Sequence, residues 1–224
     1  RHEEMSRVIM QRLEQELGGN LTLAYQIFTN QYERKFFHQL VSSQLDIDRL
    51  DYLKRDCFYT GVSEGEIGAD RIIKMLDVRN DQVVVEEKGI YSIENFLNAR
   101  RVMYWQVYLH KASVSAEKML VAIIQRAQQL LAAGAKVSAS DCLQLFLEKQ
   151  VALNDIKQDE EYLEYYMALD DNDIWCAIKS WQHHSDRVLS TLSRMLLQRK
   201  LFRIRMFNEA LSQEEVEQLQ QWVQ

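Results

Sequence analysis

Proline is missing altogether from the 224 residues, and the chain holds only seven glycines and three cysteines. Without proline, nothing locks φ or removes a backbone donor inside an element, which suits a chain built of long helices. Cys57, Cys142 and Cys176 are odd in number, far apart and without a CxxC pair. That excludes a complete disulfide framework and gives no zinc spacing, so free thiols in a reducing cytoplasm are expected. No apolar run approaches the ~20 residues that a helix needs to cross a bilayer. No secretory signal pattern opens the chain either. Positive charge is also short, with 27 Lys and Arg against 33 Asp and Glu, a formal net charge of −6. A strong unspecific attraction to nucleic acid is therefore not expected. The chain begins at Arg1 rather than a methionine, which is read as the start of a piece of something longer.

What is present is ordinary for a globular protein: 47% hydrophobic and 27% charged residues, in a length sufficient for one sizeable core with or without an appended lobe. Most segments follow the helical period. "HEEMSRVIMQRLEQEL" lines up Met5, Val8, Ile9, Leu13 and Leu17, and the Gly18-Gly19 pair is a stop signal. "LTLAYQIFTNQYERKFFHQLVSSQL" contains one or two more helices. In "DVRNDQVVVEEKGIYS" the period changes: Val83 to Val85 are β-branched and "RND" is turn chemistry, so a small antiparallel ribbon is predicted. Ser92 then reads as the N-cap of one very long helix running to Gly134. Further helices follow, one through Trp175 to His184, and the last opens with Ser212 and Glu215 at capping-box spacing. The basic run "LLQRKLFRIRMF" is simplest as a cationic amphipathic segment packed within the fold. The expected architecture is mainly α, a helical bundle with a small antiparallel β ribbon in residues 1–134 and a C-terminal helical lobe in residues 135–224.

Two rows of side chains carry chemical potential. In "SSQLDIDRLDYLKRDCFYTGV" (Ser42 to Val62), Asp48, Tyr52 and Asp56 lie four residues apart, so a helix stacks them on one side with Arg49 bordering. Leu50, Leu53 and Cys57 form an adjacent seam suited to a core. Such a row could hold a metal ion at Asp48 and nucleotide polar groups at Tyr52 and Asp56. On the pattern alone, a half-exposed helix with internal ion pairs is the simpler account. On the long helix, Arg100, Tyr104, Tyr108 and Lys111 fall within roughly a quarter-turn of each other. Two cations and two phenols could grip phosphates and stack on a base or sugar. Tyrosines at helical spacing also simply fill cores, and the pattern leaves both open.

The first segment resembles the one that carries the last metal aspartate in HD-domain phosphohydrolases, most closely the deoxynucleoside triphosphate triphosphohydrolase branch. "KGIYSIENFLNARRVMYWQVYLHK" resembles the long helix that follows in that branch, and the likeness runs from "HEEMSRVIM" to "LLQRKLF". The resemblance implies an HD-domain-like bundle and an assembly of dimers or larger rings. It also implies that a divalent metal ion (Mg, Mn or Fe) takes Asp48 among its ligands. It makes Arg49 a phosphate contact, and Tyr52 and Asp56 part of the sugar pocket. Arg100, Tyr104, Tyr108 and Lys111, with His110 bordering, would hold the triphosphate and close the sugar site. His2 would act as general acid, for which an imidazole of ordinary pKa ~6.5 is suited.

The departure is as definite as the match. The family's other metal ligands are a histidine and then a His-Asp pair, and no His-Asp dipeptide occurs here; His2, His38, His110, His183 and His184 are the only histidines. In the family those ligands precede the "HEE" segment. A fragment that is itself inactive, from a parent that hydrolyses a dNTP to deoxynucleoside and triphosphate, is therefore expected. The rivals are a phosphohydrolase of nucleoside monophosphates or another phosphoester, and a non-catalytic nucleotide-binding helical protein.

Overall fold

The computed structural model describes residues 2–205 and 209–221. Met206 and Phe207, at the end of the basic run, and residues 222–224 of the final segment lie outside the described residues. The fold is mainly helical with one two-stranded antiparallel sheet. It begins with α1 (His2–Glu16), α2 (Thr22–Phe28), α3 (Phe36–Val41) and α4 (Ile47–Thr60). Gly18 and Gly19 after α1 take φ of 66° and 92°, a left-handed exit that a side chain would resist. Only the first half of the α1 stripe finds a core. Met5 is buried with Ile156 and Leu163, while Leu13 and Leu17 are exposed.

Next come α5 (Ala69–Lys74) and the ribbon β1 (Leu76–Arg79) and β2 (Gln82–Val85), paired Leu76 with Val85 through Arg79 with Gln82. Asn80 and Asp81 close it at φ 52° and 60°, the doubly positive turn that matches the twist of two strands. Asp81 also reaches back to α3, accepting from the Lys35 backbone N–H at 2.6 Å.

The expected single helix from Ser92 to Gly134 is corrected. It is divided into α6 (Ile90–Met103), a π-helical turn over Tyr104–Tyr108, and α7 (Lys111–Ala132). The wider π-turn ends with the Leu109 N–H on the Tyr104 carbonyl at 2.8 Å. His110 then turns extended, with ψ 137°, and its Nδ1 caps α7 by accepting from the Ala112 N–H at 3.2 Å. Ser92 is not the cap. It lies inside the first turn of α6, where its hydroxyl accepts from Arg71 Nε at 3.2 Å.

The remaining helices are α8 (Asp141–Glu148), α9 (Leu153–Gln158), α10 (Glu160–Ala168), α11 (Asp171–Trp181), α12 (Arg187–Leu197) and α13 (Gln213–Gln221). Acidic residues start several of them: Asp159, Asp170 and Asp186 each accept from backbone N–H groups of the first turn. Ser212 and Glu215 form the expected reciprocal cap of α13.

The buried side chains make two main clusters. One gathers Leu50, Leu53, Ile72, Phe96, Ala99 and Met103 from α4, α5 and α6. Gly65 is needed there, because a Cβ would come within 2.5 Å of Met103 Sδ. The other joins Met119, Ile123 and Ala127 of α7 to Leu143, Leu147, Ile178, Trp181 and Leu189 of α8, α11 and α12.

Candidate functional site

The site is built where α4 meets α6 and the π-turn. Asp46 starts α4: its carboxylate accepts from the Arg49 N–H at 2.8 Å and the Ser43 N–H at 3.1 Å. Leu50 and Leu53 bury one face of α4 against Phe96, Ala99 and Met103 of α6. Cys57 packs beside that core and donates its thiol to the Val62 carbonyl at 3.0 Å. Burial, followed by the nearby Glu66 and Glu64, pushes the Cys57 thiol above its ordinary pKa, so this cysteine is not an activated nucleophile. Gly61 ends α4 at φ 70°. With the leucine seam facing α6, the helical period turns Tyr52 and Asp56 toward the π-turn.

The two rows read from the sequence meet there in part. The Tyr108 hydroxyl donates to Asp56 Oδ2 at 2.5 Å. The rings of Tyr52 and Tyr104 each stand edge-on to Tyr108, at 6.2 Å and 5.2 Å between centroids. Arg100 lies over the Tyr104 ring at 5.9 Å and donates to Gln44 Oε1 at 3.2 Å. The result is a wall of three phenols whose middle member, Tyr108, is bonded to a carboxylate and whose outer member, Tyr104, lies under a guanidinium.

Both inner phenols are held in the neutral form. Burial raises Tyr52, while Arg100 works against it. Burial also raises Tyr108, and the hydrogen bond and charge of Asp56 add to the effect. Tyr108 is thus a firm donor, and Asp56 keeps three of its four lone-pair directions for other partners.

The other sequence candidates are placed differently. Asp48 is exposed on the wall of a separate polar cavity of about 370 Å³, together with His2, Ser6, Arg7, Asn30 and His38. Arg49 is turned back on its own helix start, its guanidinium bound to Asp46 and to the Ser43 carbonyl. Lys111 does not continue the Arg100–Tyr104–Tyr108 row, because the helix on which it was aligned is interrupted between Tyr108 and Lys111, and His110, expected only to border the row, lies in that interruption. Both line a third cavity of about 570 Å³ with Leu201, Phe202, Arg203 and Arg205, the segment noted in the sequence as a basic run.

Sequence reasoning passed over three polar groups near these sites. Asp46 is 3% exposed and fully engaged; its position just ahead of a helix was the available signal. Gln44 holds Arg100 across 56 residues of sequence, for which no local signal exists. His38 Nδ1 lies 3.0 Å from the Ile27 carbonyl. A carbonyl only accepts, so that nitrogen carries a proton.

Among the described residues, no three His, Cys, Asp or Glu side chains come together closely enough to hold a metal ion. The implied divalent ion therefore does not fit the described residues by themselves. Asp48 offers it one carboxylate.

Residues 67–145 match the family model of the HD associated region. The fold is similar to that of a phosphohydrolase from Bacteroides thetaiotaomicron, with a TM-score of 0.92 and 50% identity over 97% of this chain and 54% of that one. The uncharacterised protein YwfO of Bacillus subtilis is 37% identical over 183 residues, 82% of this chain and 40% of that protein. A deoxynucleoside triphosphate triphosphohydrolase SAMHD1 homologue of Dictyostelium discoideum is 31% identical over 102 residues, 44% of this chain and 20% of that protein. The chain thus spans about half the length, or less, of the relatives it matches. Together these similarities support an HD-domain phosphohydrolase family.

Proposed function

We propose that the whole protein hydrolyses a deoxynucleoside triphosphate to deoxynucleoside and inorganic triphosphate. The observation that carries this reading is the pairing of Asp56 with Tyr108 inside the tyrosine wall, with Arg100 over Tyr104. In this scheme the free lone pairs of Asp56 accept a hydrogen bond from the sugar 3′-hydroxyl. Tyr108 fixes the carboxylate's orientation and leaves its charge in place. The ring faces of Tyr52, Tyr104 and Tyr108 form the apolar side of the sugar pocket, and a 2′-hydroxyl set against a ring face has no partner. A buried hydroxyl without a partner costs about 1–3 kcal/mol, enough to select against ribose.

Arg100 offsets the charge of the phosphate chain as water adds to the α-phosphorus and the bond to the 5′-oxygen breaks. His2 would give that departing oxygen its proton. A divalent ion bound in part by Asp48 would supply the activated water; the described residues bind, orient and protonate. Self-association belongs to the same proposal, supported by Tyr91, Leu97 and Trp105, which α6 and the π-turn leave exposed.

The test is an assay of the full-length protein with Mg²⁺ or Mn²⁺ and each of the four dNTPs, with release of inorganic triphosphate as the readout. Arg100→Ala should abolish activity on triphosphates far more than on nucleoside monophosphates. Equal losses on both would favour a phosphohydrolase of shorter esters. Binding of dNTPs with no product from any of them would leave a nucleotide-binding protein without catalysis.

A further inference from the structure

We propose that the turn Ser43–Asp46 is a positioning element that holds two arginines, Arg100 of the tyrosine wall and Arg49 at the start of α4, for a phosphate chain; this rests on the nucleotide reading above. The turn reaches each guanidinium by a different group. The Ser43 carbonyl and Asp46 Oδ2 both accept from Arg49 Nη1, and Gln44 Oε1 accepts from Arg100 Nη1 at 3.2 Å. The turn is itself tied internally. Asp46 accepts from the Ser43 and Arg49 N–H groups, and Ser43 Oγ accepts from the Leu45 N–H at 3.2 Å.

Burial gives this arrangement its consequence. Asp46 is 3% exposed, so its charge is matched inside the protein by the Arg49 guanidinium and by two backbone donors. A guanidinium carries five N–H groups in a fixed plane. The turn uses one nitrogen of each arginine, which leaves further N–H donors on both. Both cations also act on the Tyr52 phenol, Arg100 more than Arg49, working against the burial that raises its pKa. One four-residue turn thereby fixes the spacing of two positive groups contributed by different helices. Two fixed cations bind a flexible polyanion better than two mobile ones, since less side-chain freedom is lost on binding.

The experiment uses the full-length protein and the variants Asp46→Asn and Gln44→Ala. Asparagine still caps a helix, so Asp46→Asn should fold, with a lowered melting temperature because the buried partner of the Arg49 guanidinium loses its charge. Gln44 is exposed, so its removal should not disturb the fold. Nuclear magnetic resonance of the arginine Nε–Hε groups, without nucleotide, should show resolved signals for Arg49 and Arg100. The first should collapse in Asp46→Asn and the second in Gln44→Ala. Calorimetry with inorganic triphosphate should show a Kd weakened about tenfold by Asp46→Asn, the loss of one charge-assisted contact. KM should rise with it while kcat changes little.

Arginine signals unaltered by either variant would overturn the positioning role, whatever the activity. Triphosphate binding unchanged by both variants would overturn the link to phosphate. Wild-type protein that binds inorganic triphosphate, loses that binding in the variants and yet hydrolyses no dNTP would uphold the turn and reject the proposed reaction.

Discussion

Asp56 in the N-terminal half and Asp186 in the C-terminal half are both aspartates gripped from a distant element, and their roles diverge. Asp186 accepts from two nitrogens of Arg126, at 3.1 Å and 2.6 Å, and from the Leu189 N–H at 2.8 Å as the cap of α12. Its lone pairs are largely taken by cationic and backbone donors. The Arg126 bond first, then the Leu189 N–H, hold its pKa down to about 2. Asp56 has one neutral donor, the Tyr108 phenol. The first carboxylate joins α7 to α12 under the larger core. The second keeps acceptor capacity beside an aromatic wall. A carboxylate saturated by cations is a structural tie; one steadied by a single neutral donor is free to bind.

That contrast can be broken in several places. The largest effect should come from the core that Asp186 closes. Trp181 is 1% exposed and donates to the Ser138 carbonyl at 2.8 Å. Trp181→Ala should cost about 3–5 kcal/mol of unfolding free energy in a denaturant titration. A much smaller loss would show that this half is not the rigid partner.

Next in size is the difference between the aspartates themselves. Asp186→Ala removes a helix cap worth about 1 kcal/mol and the Arg126 bridge with it. Asp56→Ala should cost less in stability, since a single hydrogen bond contributes about 0.5–1.5 kcal/mol, yet abolish dNTP binding in calorimetry. Equal destabilisation by the two variants would erase the distinction.

Acid should expose the same asymmetry. Asp186 has its pKa depressed to about 2 in the fold, against about 3.9 unfolded. The folded state therefore binds fewer protons, and the stability this group contributes is complete above the unfolded value. It drains away as pH falls from about 4 toward 2. Asp186→Asn should flatten that part of the stability curve; an unchanged acid limb would assign the loss to other groups.

The smallest effect is at alkaline pH. Tyr108 should remain protonated where ordinary tyrosines ionise, near pH ~10. Its raised pKa favours the fold below that value, and the contribution is lost as pH rises through the folded pKa. An ultraviolet absorbance titration should show Tyr52 and Tyr108 delayed, and Asp56→Asn should advance Tyr108, because the hydrogen bond and charge that add to its burial are then altered. Burial would keep Tyr108 above an ordinary tyrosine even then.

Much of the fold was legible locally. Gly18-Gly19, the "RND" turn and the Ser212–Glu215 cap act over a few residues and lie where the sequence predicts them. The Leu50–Leu53 seam was readable because helical spacing and burial coincide. The break at His110 was not. "RVMYWQVYLHKAS" contains neither proline nor glycine, and periodicity runs through it unbroken. The π-turn instead coincides with tertiary packing, where Val107 and Tyr108 face the Leu50–Met103 core. Arg49 shows the same limit: spacing sets it beside Asp48, but a buried Asp46 one turn back offers the stronger electrostatic partner.

The sequence by itself determined the helical character, the ribbon and which side of α4 carries Tyr52 and Asp56, because backbone propensity and side-chain period are properties of neighbours in the chain. Tertiary structure alone decided that Asp56 meets Tyr108, that Gln44 holds Arg100 and that Lys111 turns to a different cavity. Those outcomes depend on how two helices are rotated against a shared core. A rotation of that kind is set by packing between residues some 50 positions apart.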